Sequence, residues 1–271
     1  MKFRRQFLFS ALLAFALSGA TVHAQDNVLR VGTDATFPPM EFVENDKRTG
    51  FDIELVEAMA KAMGKRVEWV DIDFKGLIPG LVAKRFDVAV SAIYITDDRK
   101  KVVDFTDAYF AGGLVAMTKD SNAAIKTLAD LDGKKVTVQV GTKSVGYLQQ
   151  NHPKVQLVEV EKNQEMFNLV EIGRADAAVT GKPAAAQYVR TRPGLRVLAQ
   201  QLTTEEYGMA LRKDTPDLTK DAMTMLHWAI GEAALGRDIL SSDGSGEQIY
   251  RLAMPTLSMS AIFRICPWTS S

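Results

Sequence analysis

Cysteine and histidine are scarce in this chain of 271 residues, which has one cysteine and three histidines. Cys266 stands alone and cannot form an internal disulfide. His23, His152 and His227 are widely separated, and no group of histidines and cysteines has the spacing of a zinc site. We therefore expect no metal and no cofactor.

The chain also lacks an excess of charge, with 33 basic and 33 acidic side chains. Loss of the N-terminal segment would remove Lys2, Arg4 and Arg5 and leave a slight acidic excess. Nucleic-acid-binding domains carry a clear basic excess, so nucleic acid is not an expected partner.

Long hydrophobic runs are absent as well. The apolar run at 7–17 follows three basic residues, and small residues at 22–24 offer a peptidase site. The run is shorter than the roughly 20 residues that a membrane span needs. The sequence therefore predicts a signal peptide at 1–24, cleaved near Ala24, rather than a membrane anchor. No cysteine near this site could take a lipid, so we expect a periplasmic protein.

The remainder of the chain alternates short apolar runs with helical patterns. Runs at 29–34, 66–70 and 86–90 predict strands, and helices are predicted at 50–63, with Asp52 as its cap, and from 73 onward. This alternation is typical of a parallel sheet with right-handed crossovers.

A second block repeats the pattern, and the run at 175–179 resembles the one at 86–90. Two passages, near 109–112 and 203–207, would join the blocks as a hinge between two lobes. We expect an α/β fold with two lobes, each a mostly parallel sheet flanked by helices. The predicted bounds are 26–110 plus 207–250 for the first lobe, 113–203 for the second and 251–271 for an atypical tail.

Ligands of such sheets bind beyond the carboxyl ends of the strands. Asp34, Phe37, Phe74 and the segment 91–99 would converge there, and Arg99 offers a planar cation suited to a carboxylate. Glycine and hydroxyl residues at 141–144 would leave backbone amides free for an anion. The alternative for Asp34 and Phe37 is a turn aspartate and a packed aromatic residue.

Five short segments together resemble a known family. They are Leu-Arg-Val-Gly-Thr-Asp-Ala-Thr-Phe-Pro-Pro-Met-Glu-Phe at 29–42, Gly-Phe-Asp at 50–52, Phe-Lys-Gly-Leu-Ile-Pro at 74–79, Ile-Thr-Asp-Asp-Arg at 95–99 and Val-Asp-Phe-Thr at 103–106. The chain from 29 to 250 resembles the polar amino-acid binding proteins of ABC importers, the family 3 periplasmic solute-binding proteins.

The resemblance implies a role for each matching position. Arg99 would hold the ligand α-carboxylate, Asp34 and Phe37 would line the side-chain end of the pocket, and Phe74 would pack on the aliphatic stem. Further ligand contacts are implied for two groups, Ser91, Ala92 and Tyr94 in the first lobe and Gln139, Gly141 and Thr142 in the second.

Three departures from the family pattern stand out. Tyr94 replaces a small hydroxyl residue, and Gly181 replaces the aspartate that pairs with the ligand ammonium. Loss of such a partner costs about 2 to 5 kcal/mol, so binding is weak, another acceptor substitutes, or the ligand lacks a free amine. On this reasoning Gly181→Asp would strengthen binding. The chain end also lacks the usual Lys-Trp-Phe-type motif.

The sequence thus predicts a monomeric binding protein, not an enzyme, that captures an amino acid by lobe closure and delivers it to a membrane permease. An enzyme related to a dehydratase on the same scaffold, using Asp34 or Glu41 as acid or base, is one alternative. A ligand sensor is another. Asp34 and Glu41 would repel a carboxylate side chain, which favours glutamine or a basic amino acid.

Overall fold

The computed structural model describes residues 27–234. The predicted signal peptide, the part of the first lobe beyond 234, the tail at 251–271 and Cys266 lie outside the described residues. Within 27–234, no helix has both the length and the apolar character needed to cross a membrane. The same residues contain no group of three or more His, Cys, Asp or Glu side chains that could hold a metal ion.

Five strands form the first sheet, in the spatial order β5 (Arg66–Asp71), β1 (Val28–Thr33), β6 (Val88–Ala89), β15 (Ala210–Arg212) and β7 (Val103–Phe105). β1 pairs in parallel with both of its neighbours, whereas β15 is antiparallel to both of its own. Phe86 packs directly on this sheet at Gly32, because a β-carbon there would lie 2.6 Å from its ring. Four of the five strands therefore run in one direction, which agrees with the predicted mostly parallel sheet.

The second sheet has the spatial order β11 (Gln156–Val160), β10 (Lys135–Gln139), β12 (Ala177–Gly181), β9 (Leu114–Lys119) and β13 (Leu195–Gln201). β10 is parallel to β11 and β12, and β9 is antiparallel to β12 and β13. Every residue of β12 is buried, as its run of small apolar side chains predicts. Two similar blocks are therefore present, as expected from the sequence.

The two sheets are joined by a short antiparallel pair, β8 (Phe110–Ala111) with β14 (Glu206–Tyr207). Both strands lie in the passages where the sequence predicts a hinge. We call the first sheet with its helices the first lobe, and the second sheet with its helices the second lobe. This two-lobed α/β arrangement confirms the predicted fold class.

Seven α-helices lie within the described residues and flank the sheets. They are α1 (Phe51–Ala62), α2 (Leu77–Val82), α3 (Asp97–Lys100), α4 (Lys143–Asn151), α5 (Asn163–Glu171), α6 (Lys182–Thr191) and α7 (Pro216–Ala234). Short 3₁₀ turns occupy Phe74–Gly76 and Leu128–Leu131. α1 packs on β5 and α7, and α5 and α6 pack on the second sheet. The core of each lobe therefore lies between its sheet and its helices.

One local expectation is wrong. Asp52 does not cap α1, since the helix begins after Gly50 with no side-chain cap, and Asp52 is instead wholly buried. Between β1 and α1 the chain forms a small antiparallel sheet of β2 (Thr36–Phe37), β3 (Glu41–Glu44) and β4 (Lys47–Thr49). The two prolines that follow Phe37 occupy the turn between β2 and β3.

Candidate ligand-binding site

A cavity of about 410 Å³, part of it open to solvent, lies between the carboxyl ends of the strands of the two lobes. It is lined by nearly all of the predicted ligand residues, namely Asp34, Phe37, Phe74, Ser91, Ala92, Tyr94, Gln139, Thr142 and Gly181. Arg99 and Gly141 instead line an adjacent cavity that shares Phe74 with the first. The structure thus brings the predicted residues together, in two neighbouring spaces rather than one.

Arg99 lies on α3, which follows the exit of β6. The Thr96 hydroxyl caps this helix by accepting a 3.3 Å hydrogen bond from the Arg99 amide. The guanidinium donates to the carbonyl oxygens of Tyr94, at 2.8 Å, and Gly141, at 3.3 Å. It also lies over the Phe74 ring, 5.5 Å from the centroid. Burial lowers the pKa of Arg99 to about 10.

Carboxylates do not pair with Arg99 anywhere in residues 27–234. A guanidinium has five N–H donors, and the carbonyls of Tyr94 and Gly141 use two of them. Desolvating a cation without a counter-charge is unfavourable, so this position suits an anion supplied from outside the chain.

Asp34 follows β1 and is 3% exposed. One carboxylate oxygen accepts from Lys162 Nζ at 2.9 Å and from the Thr36 hydroxyl at 3.2 Å. The other accepts from Gln139 Nε2 at 2.8 Å and from the Phe74 amide at 3.2 Å. The expected preference of this carboxylate for an amide or a cation is therefore already met by side chains of the protein.

Lys162, which the sequence analysis did not identify, stands immediately before α5 in the second lobe. Its ammonium lies 2.9 Å from Asp34 and 2.7 Å from Asp73, both in the first lobe. Partial burial opposes the charge, but the hydrogen bonds to Asp73 and Asp34 raise the pKa of Lys162 above its ordinary value. Lys162 therefore stays charged and joins the two lobes at the edge of the cavity.

Glu41 lines the inner wall of the cavity and lies beside a second buried carboxyl, Asp52. Glu41 accepts a 2.8 Å hydrogen bond from Ser91, and Asp52 accepts from the Ala92 amide at 2.8 Å and the Tyr109 hydroxyl at 2.9 Å. The bond to Asp52 holds Ala92 in a left-handed conformation, at φ 45°.

Glu41 and Asp52 are neighbours, and each carboxyl influences the pKa of the other. Burial and the neighbouring Asp52 charge raise the pKa of Glu41 well above its ordinary value, and burial raises the pKa of Asp52 to about 6. Their remaining oxygens have no other partner among the described residues, so one shared proton satisfies both. We therefore assign a neutral Glu41 beside an ionised Asp52. Glu41 would therefore repel a carboxylate side chain of a ligand less strongly than the sequence predicts.

The surroundings of Gly181 are filled by aromatic side chains. The Tyr207 hydroxyl donates to that of Tyr94 at 3.3 Å, and the two ring centroids are 4.7 Å apart. A β-carbon at Gly181 would lie 2.5 Å from the Tyr207 oxygen and 2.8 Å from the Phe37 ring. The expectation that Gly181→Asp would strengthen binding therefore conflicts with the packing, because the larger side chain would displace these rings.

The second lobe contributes a polar network around Gln139, at the end of β10. Asn163 donates to the Gln139 side-chain oxygen at 3.0 Å, and the Thr142 hydroxyl donates to its carbonyl at 2.7 Å. Gly141 adopts φ 77°, and a β-carbon there would lie 2.8 Å from the Lys75 α-carbon of the first lobe. Glycine at 141 thus permits the close approach of the two lobes.

Several lining residues were missed at the sequence level, namely Leu114, Asn163, Val179, Thr180 and Tyr207. Asn163 follows β11, as Asp34 follows β1, so the same argument from strand ends could have identified it. Tyr207 lies in the hinge strand, where its aromatic side chain gave no sign that it turns into the cavity.

Known proteins resemble the chain over most of its length. The L-cystine-binding protein TcyJ of Escherichia coli is 35% identical over 71% of this chain and 73% of its own. The ABC transporter arginine-binding protein 1 of Escherichia coli is 32% identical over 79% of this chain and 88% of its own.

Solved structures extend the likeness to the whole fold. An ancestral arginine-binding protein bound to arginine has a TM-score of 0.74 and 37% identity, and covers 84% of this chain and 98% of its own. The ancestral amino acid-binding protein AncCDT-1, described as a precursor of cyclohexadienyl dehydratase, has a TM-score of 0.73 and 37% identity. The match covers 84% of this chain and 95% of that protein. Residues 29–233 match the family described as bacterial extracellular solute-binding proteins, family 3. The chain therefore belongs to the family 3 bacterial extracellular solute-binding proteins, as its motifs, two lobes and intervening cavity lead one to expect.

Proposed function

We propose that this solute-binding protein captures a polar α-amino acid between its lobes and delivers it to the permease of an ABC importer. One observation supports this above the others, namely that Arg99 is a partly buried cation with no carboxylate partner in residues 27–234. The α-carboxylate of an amino acid supplies a planar anion that a guanidinium can bind through two hydrogen bonds. The names of the relatives, which bind cystine or arginine, agree with this ligand class.

The eleven positions predicted from the sequence form the proposed ligand site, with Arg99 as the carboxylate anchor and Phe37 and Phe74 as apolar walls. Gly181 borders the site but offers no side-chain acceptor for the ligand ammonium. The hydrogen-bonding positions of Asp34 are already filled by groups of the protein. We therefore assign ammonium recognition to the wall lined by Glu41, where the pair of Glu41 and the buried Asp52 carries one negative charge.

We also propose a periplasmic, monomeric protein without catalytic turnover. Neither His152 nor His227 lines the cavity. A neutral Glu41 could in principle donate a proton, and the likeness to AncCDT-1 makes a dehydratase the alternative worth testing. Incubating the purified protein with candidate amino acids and analysing the products decides between the two, since any turnover contradicts pure binding.

A thermal-shift screen over the common amino acids, followed by titration calorimetry, tests the proposed function. A ligand at 100 times its Kd adds about 2.7 kcal/mol to the free energy of unfolding, which raises the Tm by roughly 5 to 10 °C. We expect this response with at least one polar amino acid. If none of them gives a shift or any heat of binding, the proposed function is wrong.

A further inference from the structure

The hydrogen bonds of Asp34 influence which ligand side chains the cavity can accept; this inference rests on the proposed amino-acid binding. A carboxylate has about four lone-pair positions for hydrogen bonds. In Asp34 they are taken by Thr36, Lys162, Gln139 and the Phe74 amide, two donors on each oxygen. A ligand donor can therefore reach Asp34 only by displacing one of these groups.

Three of the four donors are firmly held. The Phe74 amide is part of the backbone, and Thr36 lies two residues from Asp34 on the same lobe. Gln139 is 4% exposed, and its amide is fixed by a second bond to the Glu161 carbonyl at 2.9 Å and a third from Asn163 at 3.0 Å. Moving any of these groups would break further contacts.

Lys162 is different, because its side chain is 42% exposed at the edge of the cavity. It also keeps a second anionic partner, Asp73, at 2.7 Å. Its ammonium can leave Asp34 while retaining Asp73, so Lys162 is the exchangeable donor. A ligand with a cationic side chain would compete with this built-in cation for Asp34, whereas a neutral polar side chain would leave the ion pair intact.

We propose that Lys162 is a specificity-determining residue that holds Asp34 neutralised and so selects amino acids with uncharged polar side chains over those with cationic ones. Of the two classes expected from the sequence, glutamine or a basic amino acid, the uncharged one is the preferred ligand. The lysine acts as a tethered competitor of a cationic ligand. Lys162 also connects the two lobes, and this contact remains when a ligand binds without displacing the lysine.

Calorimetric titration of glutamine and of arginine into wild-type, Lys162→Met and Lys162→Arg proteins tests the proposal. Methionine keeps the apolar stem and removes the charge, so we expect the ratio of arginine to glutamine affinity to rise by about tenfold or more in Lys162→Met. Lys162→Arg keeps the charge and should leave the ratio near that of the wild type. Lys162→Gln serves as a second neutral variant.

Lys75→Met is the matched control, because Lys75 pairs with Glu161 across the same edge of the cavity but does not contact Asp34. It should alter both affinities alike and leave their ratio unchanged. Equal changes for the two ligands in Lys162→Met, or the same change of ratio in Lys75→Met, would overturn the proposal. If neither glutamine nor arginine binds to any of these proteins, the proposed preference for an uncharged ligand is overturned, while the amino-acid screen decides the proposed function separately.

Discussion

The Nη2 atom of Arg99 lies 3.3 Å from the carbonyl oxygen of Gly141, so that a side chain of the first lobe bonds to the backbone of the second. The same guanidinium is the proposed anchor of the ligand carboxylate. Ligand binding and lobe contact are thus joined at one side chain.

Arg99→Gln should weaken amino-acid binding by roughly 10- to 150-fold, because hydrogen bonds to charged groups contribute about 1.5 to 3 kcal/mol. Calorimetry with the ligand found in the screen measures this loss. Arg48→Gln is the control, since Arg48 pairs with Asp71 away from the cavity and should leave the affinity unchanged. An Arg99 variant that binds like the wild type would exclude the assigned anchor.

Gly141→Ala should weaken ligand binding, because its β-carbon would press on the Lys75 backbone where the lobes meet. Its positive φ adds a strain of about 1 to 2 kcal/mol to the folded state. Gly173→Ala isolates that strain, since Gly173 has φ 76° and open space around it. Urea unfolding should show a similar loss for both variants, while calorimetry should show weaker binding for Gly141→Ala alone.

Gly181→Ala should lower the free energy of unfolding by about 1 to 3 kcal/mol, the usual cost of overpacking. The backbone at Gly181 is ordinary, with φ −63°, so the cost arises from the Tyr207 hydroxyl and the Phe37 ring alone. Combining the change with Tyr207→Phe removes one of these contacts and should recover part of the loss. Urea denaturation of the wild type, both single variants and the double variant gives the four free energies of unfolding that this comparison needs. A Gly181→Ala protein as stable as the wild type would contradict the packing around Gly181.

Glu41→Gln should change how stability depends on pH. Burial raises the pKa values of Glu41 and Asp52, so the folded state holds a proton that the unfolded state releases, and stability falls as the pH rises from about 4 through about 6 and above. Glutamine at 41 removes one titrating group. The free energy of unfolding of the variant should therefore increase relative to that of the wild type between pH 5 and pH 8.

Denaturation at those two pH values tests this prediction. Glu44→Gln is the matched control, as Glu44 is exposed on the same strand, β3. Its stability relative to the wild type should not change between the two pH values. A Glu41→Gln protein that follows the wild type at both pH values would exclude the shared proton.

The strands and the cavity could be predicted because they depend on short-range patterns. The alternation of apolar and polar residues that begins at Leu29 predicts β1, and the run of small apolar residues before Gly181 predicts β12. Since parallel strands end at one edge of a sheet, the position of Asp34 after β1 follows from the order of elements.

Other features depend on contacts between distant segments and left no local signal. Lys162 lies 128 positions from Asp34, and a lysine before a helix is ordinarily a solvated residue. Tyr207 and Gly181 meet only when the hinge strand folds against β12. The buried role of Asp52 was missed because an acidic residue in a first helical turn usually interacts with the helix terminus.

The hinge pair of β8 and β14 has two residues in each strand, so it supplies few hydrogen bonds between the lobes. The ion pairs Lys162–Asp73 and Lys75–Glu161 lie instead at the cavity edge, with side chains roughly half exposed. The attraction between exposed charges weakens as the ionic strength rises, whereas the apolar cores of the lobes do not depend on such pairs. Raising the salt concentration well above the physiological level should therefore weaken these two contacts between the lobes while each lobe stays folded.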